Sequence, residues 1–201
     1  MKKFLLVIFS LYLGGIVQPV MADNRSYLSL GVQGGRWDVT GNNYQGIGWG
    51  LDGGVPVSDS LSLVGAYSRM TYDPDSSGVS DADFTEWQLG SRWQTDLSTS
   101  TRFGLQYRYV DMVLSAGGSE ADEYGHRGQV DLGINMASAG LGKLPSLLNL
   151  SAGQTAYESE DRWFFETGLR SFINRNFSLG LHYRNEAEDR HLLTLSIRED
   201  R

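Results

Sequence analysis

The sequence predicts an all-β fold: a single antiparallel, up-and-down transmembrane barrel of about ten strands. Three observations carry the prediction. Polarity alternates residue by residue in segment after segment, as in Phe103, Leu105, Tyr107 and Tyr109 set against Gly104, Gln106 and Arg108. Side chains on a strand point to opposite faces in turn, so such a segment has one face suited to hydrocarbon and one suited to water. Beyond Ala22 there is no apolar run of the roughly 18 residues that a spanning helix needs. A chain that enters a membrane without helices does so as a closed barrel, which alone satisfies its backbone polar groups in lipid. Finally, Lys143 is the only lysine after the first three residues, whereas a water-facing domain usually wears many.

The first segment reads as an export signal. Lys2 and Lys3 precede an apolar stretch from Phe4 to Val17, and Val20-Met21-Ala22 supplies small residues at a cleavage site. Residues 1–22 are therefore expected to be a cleaved signal peptide and 23–201 the barrel domain. The chain has no cysteine, so an exported domain must be held by its own packing or by lipid. Its formal charge is -7, and it becomes two units more acidic once Lys2 and Lys3 are removed. Such acidity argues against nucleic acid as a partner.

Alternation and turn signals place strands near 26–35, 44–55, 61–71, 84–94, 101–111, 126–138, 147–157, 162–173, 176–186 and 190–198. Eight strands would require two segments to merge around 146–173. Short polar connections such as Pro56 to Ser60, Asp96 to Ser100 and Asn174 to Asn176 alternate with longer or more acidic ones. The latter are Arg36 to Asn43, Tyr72 to Asp83, Asp111 to Gly125, Glu158 to Asp161 and Glu186 to Asp189. Tight periplasmic turns at one rim and longer external loops at the other are the asymmetry of outer-membrane barrels. An even strand count puts both termini on the periplasmic side.

The apolar face includes Leu28, Leu30, Ile47, Leu89, Leu105, Leu132, Leu150, Phe165, Leu181 and Leu195 and is expected to face lipid. Trp93, Phe103 and Phe177 lie near short turns, and Trp37, Tyr72, Tyr109 and Tyr183 toward the loops, as two interfacial girdles would require. The opposite face carries Asp52, Glu86, Arg92, Arg108, Arg127, Asp131, Glu166, Arg170, His182 and Arg184, with Arg198 on the last strand. Enclosed charges persist only when paired, so these ten form a candidate lumen network in which Arg forks meet carboxylates. The bore of so small a barrel is then blocked at mid-height by its own side chains. A soluble, lipocalin-like barrel with its apolar face turned inward around a ligand is the competing architecture.

No cofactor, metal or catalytic residue is assigned. The glycines of 31–35 and 46–54 lack a following helix and so do not make a phosphate loop. His126, Asp131 and Ser115 or Ser119 contain the residue types of a hydrolase, but their spacing fixes no triad. The acidic groups Asp73, Asp75, Asp81, Asp83 and Glu120, Asp122, Glu123 lack calcium-loop spacing and read as solvated loops facing lipopolysaccharide.

Four segments carry a family resemblance: Gly48-Trp49-Gly50-Leu51-Asp52-Gly53-Gly54, Leu61 through Arg69, Trp87-Gln88-Leu89-Gly90, and Asn176 through Leu181. They resemble the small Gram-negative outer-membrane β-barrel proteins, and within them the signal-regulated, porin-like surface proteins of unknown activity. The resemblance implies a monomer in contact with outer-membrane lipid and lipopolysaccharide, inserted by the barrel-assembly machinery. Its role would be structural, surface-interacting or that of a narrow pore, with a soluble ligand-binding barrel or a rim-sited hydrolase as alternatives. Family members commonly end on an aromatic residue, whereas this chain ends Ile197-Arg198-Glu199-Asp200-Arg201.

Overall fold

The computed structural model describes residues 25–39, 42–74, 80–136, 144–187 and 190–201. The segment read as a signal peptide, Asp75 and Lys143 lie outside the described residues. Ten strands follow one another: β1 (Tyr27–Val39), β2 (Asn42–Pro56), β3 (Leu61–Pro74), β4 (Ala82–Asp96) and β5 (Thr101–Ala116). The second half comprises β6 (Ser119–Met136), β7 (Ser146–Tyr157), β8 (Asp161–Phe172), β9 (Phe177–Glu186) and β10 (Arg190–Asp200). Every strand pairs antiparallel with its sequence neighbours, and β1 closes on β10 through Tyr27 opposite Asp200 and Trp37 opposite Arg190. The sheet therefore has no free edge.

One end of the barrel, the turn end, carries both described termini and three connections of the same build. Val57 and Ser58 both donate to the Leu61 carbonyl, Leu97 and Ser98 to that of Thr101, and Ile173 and Asn174 to that of Phe177. In each, a short polar side chain closes the bend: the Ser58 hydroxyl accepts from the Leu61 amide, Ser98 from Ser100, and Asn174 from Asn176 and Phe177. Ser and Asn serve here because their side chains reach their own backbone a few residues on.

The loop end differs from the sequence expectation. Segments 36–39 and 111–116, and 119–125 opposite the latter, are strand rather than loop. Only Gly117 and Gly118 join β5 to β6, with φ of 59° and 82°. Two successive positive φ values form the mirror-image turn that suits a two-residue hairpin, and glycine adopts them without steric cost. A tilted strand crosses a bilayer in about 9 to 11 residues, whereas β5 has 16 and β6 has 18. The surplus projects as a hairpin from the loop end. Weak apolar alternation beyond Asp111 made this extension look like a loop.

The apolar face points outward. Ile47 is 74% exposed, Leu89 70% and Trp163 66%, while the intervening positions are enclosed. That arrangement excludes the lipocalin-like alternative, whose apolar face would line the interior. Trp93 and Phe103 meet edge-on at 6.3 Å near the turn end, and Phe177 is also exposed. Near the loop end Tyr107 and Tyr183 bond His126 Nδ1 and His191 Nδ1 at 2.7 and 2.8 Å on the outer surface. Trp37 and Tyr72, by contrast, are not girdle residues. They share the parity of the inward positions and meet edge-to-face inside the barrel at 5.6 Å.

Candidate functional site: the lumen

All ten charges of the sequence-predicted network sit on the inward face. Nine of them line one cavity of about 290 Å³, and Arg127 lies behind its wall, fully enclosed by neighbours. The cavity includes Arg25, Ser100 and Asn135 at the turn end and stops at Glu86, Arg190 and Leu192. Alternation places these side chains in the bore, and inward glycines clear room for them. A Cβ on Gly46 would stand 2.5 Å from the Tyr72 ring, and one on Gly153 would stand 2.6 Å from Phe164.

The pairing falls into two levels. In the cavity Arg108 reaches Asp52 at 3.2 Å and Gln88 at 2.8 Å, Arg92 stands 3.5 Å from Asp131, and Arg184 meets Glu166 at 3.1 Å. His182 Nδ1 is 3.6 Å from the second Glu166 oxygen. Toward the turn end Arg198 donates to Asp200 at 2.7 Å and lies over the Tyr27 ring at 3.7 Å. Arg170 makes no hydrogen bond or direct ion pair among the described residues, and Arg198, Asp200 and Arg92 are within its electrostatic range.

Deeper in, Arg127 bridges Glu86 at 3.5 Å and Glu186 at 3.3 Å and donates to Thr155 at 2.8 Å. Arg190 meets Glu186 at 3.4 Å and the Tyr72 hydroxyl at 3.2 Å, and its guanidinium lies 3.9 Å above the Phe84 ring. Phe164 is held between Arg127 and Arg184, at 5.2 and 5.1 Å. Glu186 and Arg190 were missed by sequence reasoning, which ended β9 at Glu186 and read it as the start of an external loop. Their even numbering, shared with His182 and Arg184 on β9, carried the signal.

Above this cluster the lumen is not polar. Met70, Tyr72, Ala82, Phe84, Val110, Met112, Tyr157 and Leu192 form a buried apolar core inside the loop end, with Trp37, Tyr44 and Leu114 packed against it. The bore is filled here by an apolar plug, whereas nine of the ten charges expected to block it at mid-height line a cavity instead. Both faces of these strands are apolar there, as in Tyr109-Val110 and Met112-Val113. The cavity is consequently a vestibule closed on its loop-end side.

The other candidates do not assemble. His126 faces outward and Asp131 inward, so the barrel wall separates them. Asp83 is occupied by the Thr71 hydroxyl at 2.7 Å and by Arg69, and Glu123 accepts from Ser159. Among the described residues no group of acidic or imidazole side chains converges in a metal-binding arrangement.

No family model and no curated protein matches the chain. Solved structures do. The transport unit of the autotransporter AIDA-I from Escherichia coli superposes with a TM-score of 0.55 at 9% identity, covering 98% of this chain and 96% of that one. The beta domain of the Bordetella autotransporter BrkA gives 0.52 at 9% identity, covering 89% and 99%. At such identity the likeness concerns architecture: the chain has the fold of a small outer-membrane β-barrel.

Proposed function

We propose that the chain is an outer-membrane barrel closed to solutes, with a structural or surface-interacting role and no catalysis. The observation that carries this reading is the apolar plug. Tyr72 and Val110 are 0% exposed and Met70 and Phe84 1%, although all four point into the bore. Water does not thread such packing, and the Glu86–Arg127–Glu186–Arg190 cluster lies directly beneath it.

The outward apolar band supports placement in a bilayer. The signal at residues 1–22 supports export, with the turn end in the periplasm and the β5–β6 hairpin outside. That hairpin then carries Glu120, Asp122 and Glu123 into the lipopolysaccharide layer, where divalent ions bridge anionic groups. Closure of β1 on β10 leaves no strand to recruit a second copy, which supports a monomer inserted by the barrel-assembly machinery.

Fractionation and planar-bilayer recording test the proposal together. The mature chain should sediment with outer membrane, resist high salt and carbonate, and give no steady conductance. Recovery as a soluble periplasmic species would overturn the placement. Large, steady conductance would overturn the closure and support a pore.

A further inference from the structure

The vestibule has a surplus of fixed positive charge in a chain that is acidic overall. Eight arginines line it with the carboxylates Asp52, Glu86, Asp131 and Glu166, while Asp96, Glu186 and Asp200 stand outside the lining as partners of Arg102, Arg190 and Arg198. Most of these arginines are answered: Arg92, Arg102, Arg108, Arg184, Arg190 and Arg198 each meet a carboxylate. Arg170 is not. It lines the cavity from β8 with neither a hydrogen bond nor a direct ion pair among the described residues; Arg198 and Arg92 act on it as like charges, and the carboxylate whose field reaches it, Asp200, is already paired with Arg198. The Arg92 Nε, itself buried, also lacks a hydrogen-bond partner.

A half-buried guanidinium with no direct ion pair is costly, and here the nearby Asp200 is shared with Arg198. A sequence under no other constraint would replace it. Chloride can screen the site but cannot use the planar fork, which matches carboxylate and phosphate oxygens two at a time. Several guanidinium groups around one cavity suit more than one anionic group. The volume of about 290 Å³ stands at the low end of ligand pockets, about 300 to 1,000 Å³, and admits a small compound rather than a polymer.

We propose that the vestibule binds a small compound bearing two or more carboxylate or phosphate groups, entering from the turn end and held by Arg170 with Arg92 and Arg198 beside it. Binding does not depend on whether the loop end conducts: a conductance would leave the anion site standing, and absence of binding would leave the closed barrel standing.

The test uses the full mature chain folded in detergent, titrated calorimetrically with citrate and with pyrophosphate at constant ionic strength, alongside urea unfolding with and without each anion. Saturable binding of at least one anion is expected, with a higher urea midpoint in its presence; matched sodium chloride should not reproduce the shift. Arg170→Gln should weaken binding at least tenfold and, in the absence of anion, raise the midpoint, because a charge with no direct ion pair has been removed. Arg69→Gln on the outer surface should leave binding unchanged. Three results would overturn the proposal: no saturable binding of either anion, equal binding by Arg170→Gln, or a lower anion-free midpoint in that variant. The last would mean that Arg170 is held by the fold itself.

Discussion

Replacing Arg127 by Met removes the guanidinium that bridges Glu86 and Glu186. The wild-type group is 1% exposed, its carboxylate partners stand at 3.5 and 3.3 Å with side chains 6% and 1% exposed, and Thr155 accepts from its Nε at 2.8 Å. In the variant Glu186 keeps Arg190 at 3.4 Å, whereas Glu86 keeps the Gln88 amide and no direct cation. Stranding a buried charge in this way costs about 3 to 5 kcal/mol. The methionine itself fills much of the vacated volume and lies against Phe164, so little of the loss is cavity. Unfolding in urea, followed by tryptophan fluorescence in lipid vesicles, should show a loss in that range. Adding Glu86→Gln should return about half or more, since the stranded charge is then gone. A single-variant loss below about 1 kcal/mol, the level of an exposed ion pair, would refute the idea that this cluster is dry and mutually dependent. So would a second substitution that deepens the loss.

Charge on the lipid face, as in Leu105→Arg or Leu181→Arg, should cost roughly 2 to 4 kcal/mol, while Gln106→Glu, beside Arg108 on the inward face, should cost much less; equal costs in vesicle unfolding would reverse the faces. Substituting Arg92, Arg108 and Arg184 together should leave bilayer recordings silent, because Tyr72, Phe84 and Met112 still close the loop end. Truncating Phe84 and Tyr72 to Ala in that background should introduce conductance, and steady current from the arginine variants alone would place the seal at the charges. Gly153→Val should destabilise by about 1 to 3 kcal/mol, measured by the same unfolding, since its Cβ meets the Gly128 carbonyl and its side chain enters the space of Phe164.

The wall was legible in the sequence because a two-residue period leaves little choice once one face is fixed. Leu28, Leu30 and Val32 set the parity of β1, and that parity alone puts Trp37 inside. Position along the chain suggested a girdle for Trp37 and Tyr72; parity overrules position. The charges of the lumen were legible for the same reason, since Arg127 and Asp131 share a face whatever surrounds them. Which charge meets which was not. Arg127 joins Glu86 on β4 and Glu186 on β9, partners 41 and 59 residues away, and only closure of the barrel brings them together. The plug was hidden for a different reason. Met112 and Leu114 stand beyond Asp111, where apolar residues occupy both faces, so alternation fades and the segment reads as the beginning of a loop.

The plug and the vestibule together account for how the chain distributes its charge. Acidic side chains concentrate at the loop end, with Asp73, Asp81, Asp83, Glu120, Asp122, Glu123, Glu158, Glu160 and Asp161 at or near its rim. Arginines dominate the interior toward the turn end. The net charge of -7 is therefore the difference between two opposed populations. Were the bore open, water and ions would join them and screen their interaction within about 10 Å at ordinary salt. The apolar core of Tyr72, Phe84, Val110 and Met112 interrupts that path. Anions repelled by the acidic rim are kept from the arginines by packing as well as by charge, and among the described residues the approach to the vestibule is from the turn end. Closure at one end is thus the condition under which an arginine-rich cavity retains its positive character inside an acidic protein.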